Sequence, residues 1–150
     1  MKTTISLAIL LALALFYVPQ ASSHCEIPCG IYGDETRFEL LSEHIATIEK
    51  SMKQIKAMTR EKNHNQIVRW VTAKEAHAEK IQHIVNQYFL TQRIGPVDPK
   101  KKTEYQKYVK KLTLLHEMLV YAMKAKQTID LTNVEKLKTL LKEFKAVYRG

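Results

Sequence analysis

Only two cysteines, four glycines and one tryptophan occur in 150 residues. Two cysteines allow at most one disulfide, so a multiply bridged scaffold is excluded. Four scattered glycines leave no Gly-rich loop to cradle a phosphate. No stretch alternates in strand fashion with β-branched enrichment, so a sheet has no material to form from. No apolar run reaches the roughly 20 residues that a membrane span needs. There is no internal repeat, and no Ser-His-Asp grouping stands out.

What is present begins with a leader. Met1-Lys2 is a short positive start, Ile5 to Val18 is apolar, Pro19-Gln20 breaks the run, and Ala21-Ser22-Ser23 ends it with small residues. Ala21 and Ser23 sit three residues and one residue before a cut after Ser23, as a signal peptidase prefers. The reading is a cleaved signal peptide over 1–23 and one mature domain over 24–150. Such a chain is exported, to a periplasm, an organelle lumen or the outside. It has no membrane attachment once cut.

The net charge is +9, and loss of Lys2 with the leader takes it to +8. A basic balance suits nucleic acid, an anionic surface or small anions. Nucleic acid is set aside, because the lysines are spread over every helical segment and the chain is exported. The cysteines are spaced Cys25-x-x-x-Cys29. In an exported protein that spacing alone also fits one small disulfide loop.

The body reads as helices. Thr36-Arg37-Phe38-Glu39 has capping-box form and predicts a helix start. Phe38, Leu41, Ile45, Ile48, Met52 and Ile55 follow as one apolar stripe. A polar connection, Arg60 to Asn65, leads to a second stripe of Ile67, Val71, Ile81, Ile84, Val85 and Tyr88, with Ala73, Ala76 and Ala78 between. Gly95-Pro96-Val97-Asp98-Pro99 stops it, and Lys100-Lys101-Lys102 reads as a solvated loop. Two more capping-box patterns, at Thr103 and Thr132, introduce the last stripes. These are Tyr105, Tyr108, Val109, Leu112, Leu115, Leu119 and Met123, then Val134, Leu137, Leu140, Leu141, Phe144, Val147 and Tyr148. The fold expected is all-α, an antiparallel four-helix bundle over about 35–148.

Di-iron bundles repeat Glu-x-x-His on two helices. Here Glu61-Lys62-Asn63-His64 is a single copy, so that chemistry is not expected. His44, His77, His83 and His116 share no metal-ligand spacing and read as exposed or hydrogen-bonded. Trp70 and the third helix's tyrosines read as core or subunit contacts.

The chemistry concentrates in His24-Cys25-Glu26-Ile27-Pro28-Cys29-Gly30-Ile31-Tyr32. Cleavage after Ser23 would give His24 a free α-amine. That amine, the His24 imidazole, the Cys25 amide nitrogen and two thiolates are five potential metal donors within six residues. The amine and the Cys25 amide close one five-membered chelate ring, and the Cys25 amide and thiolate close a second. Two nitrogens and two sulfurs in a plane suit Ni(II) or Cu(II), whereas Zn(II) prefers a tetrahedron. Pro28 limits backbone freedom before Cys29, and Gly30 permits a tight turn.

This hook resembles that of the nickel superoxide dismutases, His-Cys-x-x-Pro-Cys-Gly-x-Tyr, at every fixed position. The resemblance extends more loosely over the mature chain, since the family fold is a four-helix bundle assembled as a hexamer. It implies a nickel enzyme that dismutes superoxide, an antioxidant activity, through a Ni(II)/Ni(III) cycle. By the same resemblance His24 gives amine and imidazole, Cys25 amide nitrogen and thiolate, and Cys29 thiolate. Tyr32 guards the open face of the metal. Glu39 takes the position that hydrogen-bonds the axial histidine, and Arg69 that of the arginine supporting the glutamate, with a gap of about one turn in the alignment of this helix. Gly33 stands where many members have aspartate, with Asp34 following. A signal peptidase or a dedicated maturation protease is implied as a partner.

Two other classes use the same residues differently. A nickel or copper carrier would keep the donors without turnover. A secreted helical interaction protein would close Cys25 and Cys29 into a disulfide. Metal content and free thiols separate both from the enzyme.

Overall fold

The computed structural model describes residues 30–61 and 63–150. The leader, the expected cut after Ser23, and His24, Cys25 and Cys29 of the hook lie outside the described residues. Among the described residues there are four helical rods and no strand. They are α1 (Asp34–Glu61), α2 (His64–His83), α3 (Lys102–Gln127) and α4 (Thr132–Arg149); a π-helix, Ile84–Arg93, continues α2 without a break. None of the described helices is long and apolar enough to cross a membrane.

The helices start slightly earlier than the capping boxes predict. At α1 the first turn carries Asp34 and Glu35, acids suited to the positive end of the helix dipole, so Thr36 is already helical. At α4 the capping side chain is Asp130, whose carboxylate accepts from the Thr132 amide (3.0 Å) and hydroxyl (2.8 Å). Thr103 likewise lies inside α3, whose N-cap is Lys101. The connection between α1 and α2 is shorter than the polar stretch suggests. Asn63 caps α2 by accepting from the Gln66 amide at 3.3 Å.

The rods run antiparallel, α1 beside α2 and α3 beside α4, with α2–α3 and α1–α4 contacts closing the ring. All six stripe residues of α1 are buried, as are Val134, Leu137, Leu140 and Phe144 of α4. The third stripe is rotated from expectation. Leu114, Leu115, Met118, Ala122 and Ala125 face the core, while Val109 and Met123 are exposed. The two alanines let α3 approach its neighbours closely, and a side-chain-size reading of the stripe overlooks them.

Two polar features lie inside. Lys74 is 3% exposed, and its ammonium donates to the carbonyls of Ala125 (2.9 Å), Lys126 and Thr128 (3.2 Å). It caps the C-terminal end of α3 from α2, satisfying carbonyls that a helix end leaves open. His44 is buried and meets His77 across the α1–α2 seam, with their Nδ1 atoms 3.2 Å apart. Burial holds both imidazoles below their ordinary pKa of 6.5; Lys80 lowers both further, and Glu43 opposes.

Candidate functional site

Gly30 has φ 74°. That is the left-handed region, where a side chain is strained, and it accounts for glycine directly after Cys29. Ile31, Tyr32 and Gly33 follow, and the Gly33 carbonyl accepts the first amide of α1, from Arg37, at 3.1 Å. Tyr32 therefore sits one residue before the helix cap, at the same end of the bundle as the close of the π-helix.

A charged and aromatic group gathers there. Both Asp34 oxygens take bonds from Arg93, Oδ1 from Nε at 2.9 Å and Oδ2 from Nη2 at 2.8 Å. The Tyr88 hydroxyl donates to Oδ1 at 2.5 Å, and the Tyr148 hydroxyl to Oδ2 at 2.9 Å. Four bonds to one carboxylate favour its charged form. With Arg93 the largest influence, Asp34 is held at about 2 against the opposing effect of burial. Burial and the Asp34 bond push the Tyr88 phenol up to about 12. Beneath lie Phe38, Phe89 and Phe144, with ring centroids 4.9–5.8 Å apart.

The π-helix makes this meeting possible. Its wider turn is held by i→i+5 bonding, seen where the Ile94 amide reaches the Phe89 carbonyl at 2.9 Å. Thr91 and Gln92 side chains add bonds to the carbonyls of Asn86 and Gln87. The widened turn lets the neighbours Tyr88 and Phe89 both face inward, and Arg93 comes to the Tyr88 side. Beyond Arg93 a pocket of about 240 Å³ is lined by Lys107, Lys111, Glu104 and Tyr108 among others. Cations outnumber acids there.

Tyr32 is 45% exposed. The Arg93 guanidinium carbon lies 4.2 Å from its ring centroid, and the Tyr88 ring packs edge to face with it at a centroid separation of 6.1 Å. Glu39 is exposed on α1 and has no hydrogen bond or ion pair among the described residues. Arg69 is exposed near the start of α2, likewise unpartnered. The structure does not bring these two together within one chain. They lie on opposite sides of the His44–His77 contact, and at 1.5 Å per residue the separation along the axis is about 20 Å. Among the described residues no three His, Cys, Asp or Glu groups form a metal cluster.

The hook motif singles out Tyr32 but not the Asp34–Arg93–Tyr88–Tyr148 group around it. Tyr88 and Tyr148 appeared only as members of apolar stripes. Their one available signal was that a phenol ending a buried stripe needs a partner for its hydroxyl.

No curated protein and no solved structure matches the chain. The family model for nickel-containing superoxide dismutase matches residues 19–150, which take in the hook motif and all four helices. The chain therefore belongs to the nickel-containing superoxide dismutases, enzymes that dismute superoxide with nickel.

Proposed function

We propose that nickel is held at the mature N-terminus, by the amine and imidazole of His24, the amide nitrogen and thiolate of Cys25 and the thiolate of Cys29. The observation that carries this reading is the nine-residue motif, complete at every fixed position, inside a family match that covers residues 19–150. The donor set fits the metal. Thiolates and a deprotonated amide are strong anionic donors that suit nickel and stabilise its higher charge. Bound there, nickel would supply a one-electron Ni(II)/Ni(III) couple, able to oxidise one superoxide and reduce another.

The chain's own residues do the rest. The left-handed Gly30 supports a tight turn directly after Cys29. Tyr32 guards the approach and orders the water that brings protons to the peroxide formed from the second superoxide. Glu39, with its carboxylate unpartnered among the described residues, accepts a bond from the His24 imidazole and fixes its tautomer. Arg69 lies too far along α2 to support Glu39 in its own chain, so that support comes from another copy in a homohexamer.

Cutting after Ser23, by a signal peptidase or a dedicated protease, exposes the His24 amine and releases the protein from the membrane. The mature enzyme works outside the cytoplasm as an antioxidant defence, in a periplasm, an organelle lumen or the extracellular space. His24→Ala tests the assignment. It should keep nickel through the thiolates yet lose most turnover, measured by pulse radiolysis beside metal analysis. Full turnover in that variant would remove the His24 imidazole from the site, the α-amine being kept by the alanine.

A further inference from the structure

We propose that Arg93 is a positioning residue for Tyr32: the π-helix delivers its guanidinium against the Tyr32 ring, and Asp34 locks it there. This rests on the reading that Tyr32 guards the nickel site.

The Tyr32 hydroxyl has no hydrogen-bond partner among the described residues. The ring is 45% exposed, so core packing does not fix it. Among the described residues the ring makes two contacts, with the Arg93 guanidinium carbon 4.2 Å from its centroid and with the Tyr88 ring, edge to face, at a centroid separation of 6.1 Å. A guanidinium at that range is attracted to the π-face. Arg93 itself has little freedom. Its Nε and Nη2 bond both Asp34 oxygens, and Nε also reaches the Tyr148 hydroxyl at 3.1 Å. Asp34 is in turn held by the hydroxyls of Tyr88 and Tyr148. Only a planar fork bonds a carboxylate at one edge while stacking a ring on its face, so lysine is no equivalent. Asp34 opens α1 two residues after Tyr32, so the clamp anchors the hook's last motif residue to the rigid bundle.

A purely structural ion pair would tie α1 to the π-helix and leave Tyr32 indifferent to Arg93. Two measurements separate these roles. In protein labelled with 3-fluorotyrosine, the Tyr32 resonance is assigned by its loss in Tyr32→Phe. Arg93→Gln should shift and narrow that line, as the ring loses its stacking partner and gains motion. Arg93→Lys should move it in the same direction by less, and it serves as the reading should the glutamine variant fold poorly. An unmoved Tyr32 line in a folded variant overturns the proposal.

The second measurement is a double-mutant cycle on superoxide turnover by the nickel-loaded enzyme. Arg93→Gln should lower kcat about fivefold with Tyr32 present, the size of one cation–π contact. In a Tyr32→Ala background the same change should have almost no effect. Equal losses in both backgrounds would show that Arg93 acts independently of Tyr32 and overturn the proposal. Full turnover by Tyr32→Ala itself would sink the guarding role, and the fluorine line would still decide whether Arg93 places the ring.

Discussion

The Asp34 carboxylate takes bonds from two phenols and one guanidinium, and its partners come from the π-helix and α4. Sequence periodicity finds the apolar bodies of Tyr88 and Tyr148 but says nothing of where their hydroxyls end. Nor does it bring Arg93 to their side. Counted along an α-helix, Arg93 falls about 140° around from Tyr88, because each residue turns the helix by about 100°. The hook's proposed donors are contiguous, so the proposal for them is drawn from sequence without a tertiary contact; His24, Cys25 and Cys29 lie outside the described residues. Cys25→Ser and Cys29→Ser should each abolish nickel binding and turnover. Circular dichroism should show full helicity in both, since the core is built from α1 to α4. A serine variant with full nickel and turnover would contradict the ligand set.

At the scale of the helices, the first and fourth stripes are legible because each is a row of large apolar residues, whereas along α2 Ile67 and Val71 are only half-buried and Lys74 and Ala78 take the inner face. The third was read with the wrong face, because Ala122 and Ala125 do the packing. Lys74 was hidden for the opposite reason, being a charged residue whose partners lie more than fifty positions away. Lys74→Ala should lower stability by about 2 kcal/mol in urea unfolding, since it leaves the buried Ala125 carbonyl without this donor. A loss within experimental error would show that water replaces the ammonium. The His44–His77 contact predicts a pH dependence of known sign. Both imidazoles are lowered in the folded state, so the unfolded chain binds protons more readily. Stability is therefore full above the unfolded value of 6.5 and declines as pH falls below it. His77→Gln should flatten that decline in thermal melts taken across the acid range. An unchanged slope would move its origin elsewhere.

At the scale of the molecule, charge and the N-terminus matter most. The mature chain's charge of +8, the full +9 less Lys2, meets an anionic substrate, and Lys107 and Lys111 line the pocket beside Arg93. Where encounter limits the rate, kcat/KM should fall as salt rises, since the screening length shrinks to about 8 Å at physiological ionic strength. A flat profile under those conditions would remove steering from the account. The central claim is that the His24 amine is a nickel ligand, and it ties the leader to the chemistry. While the bond to Ser23 stands, that nitrogen is an amide with far weaker affinity for metal. The most direct measurement compares protein whose first residue is His24 with protein that keeps one extra methionine before it. Each N-terminus is verified by mass spectrometry, and nickel content and superoxide turnover are read on both. The account predicts full nickel-dependent turnover only when His24 comes first; equal turnover at equal nickel content would contradict it.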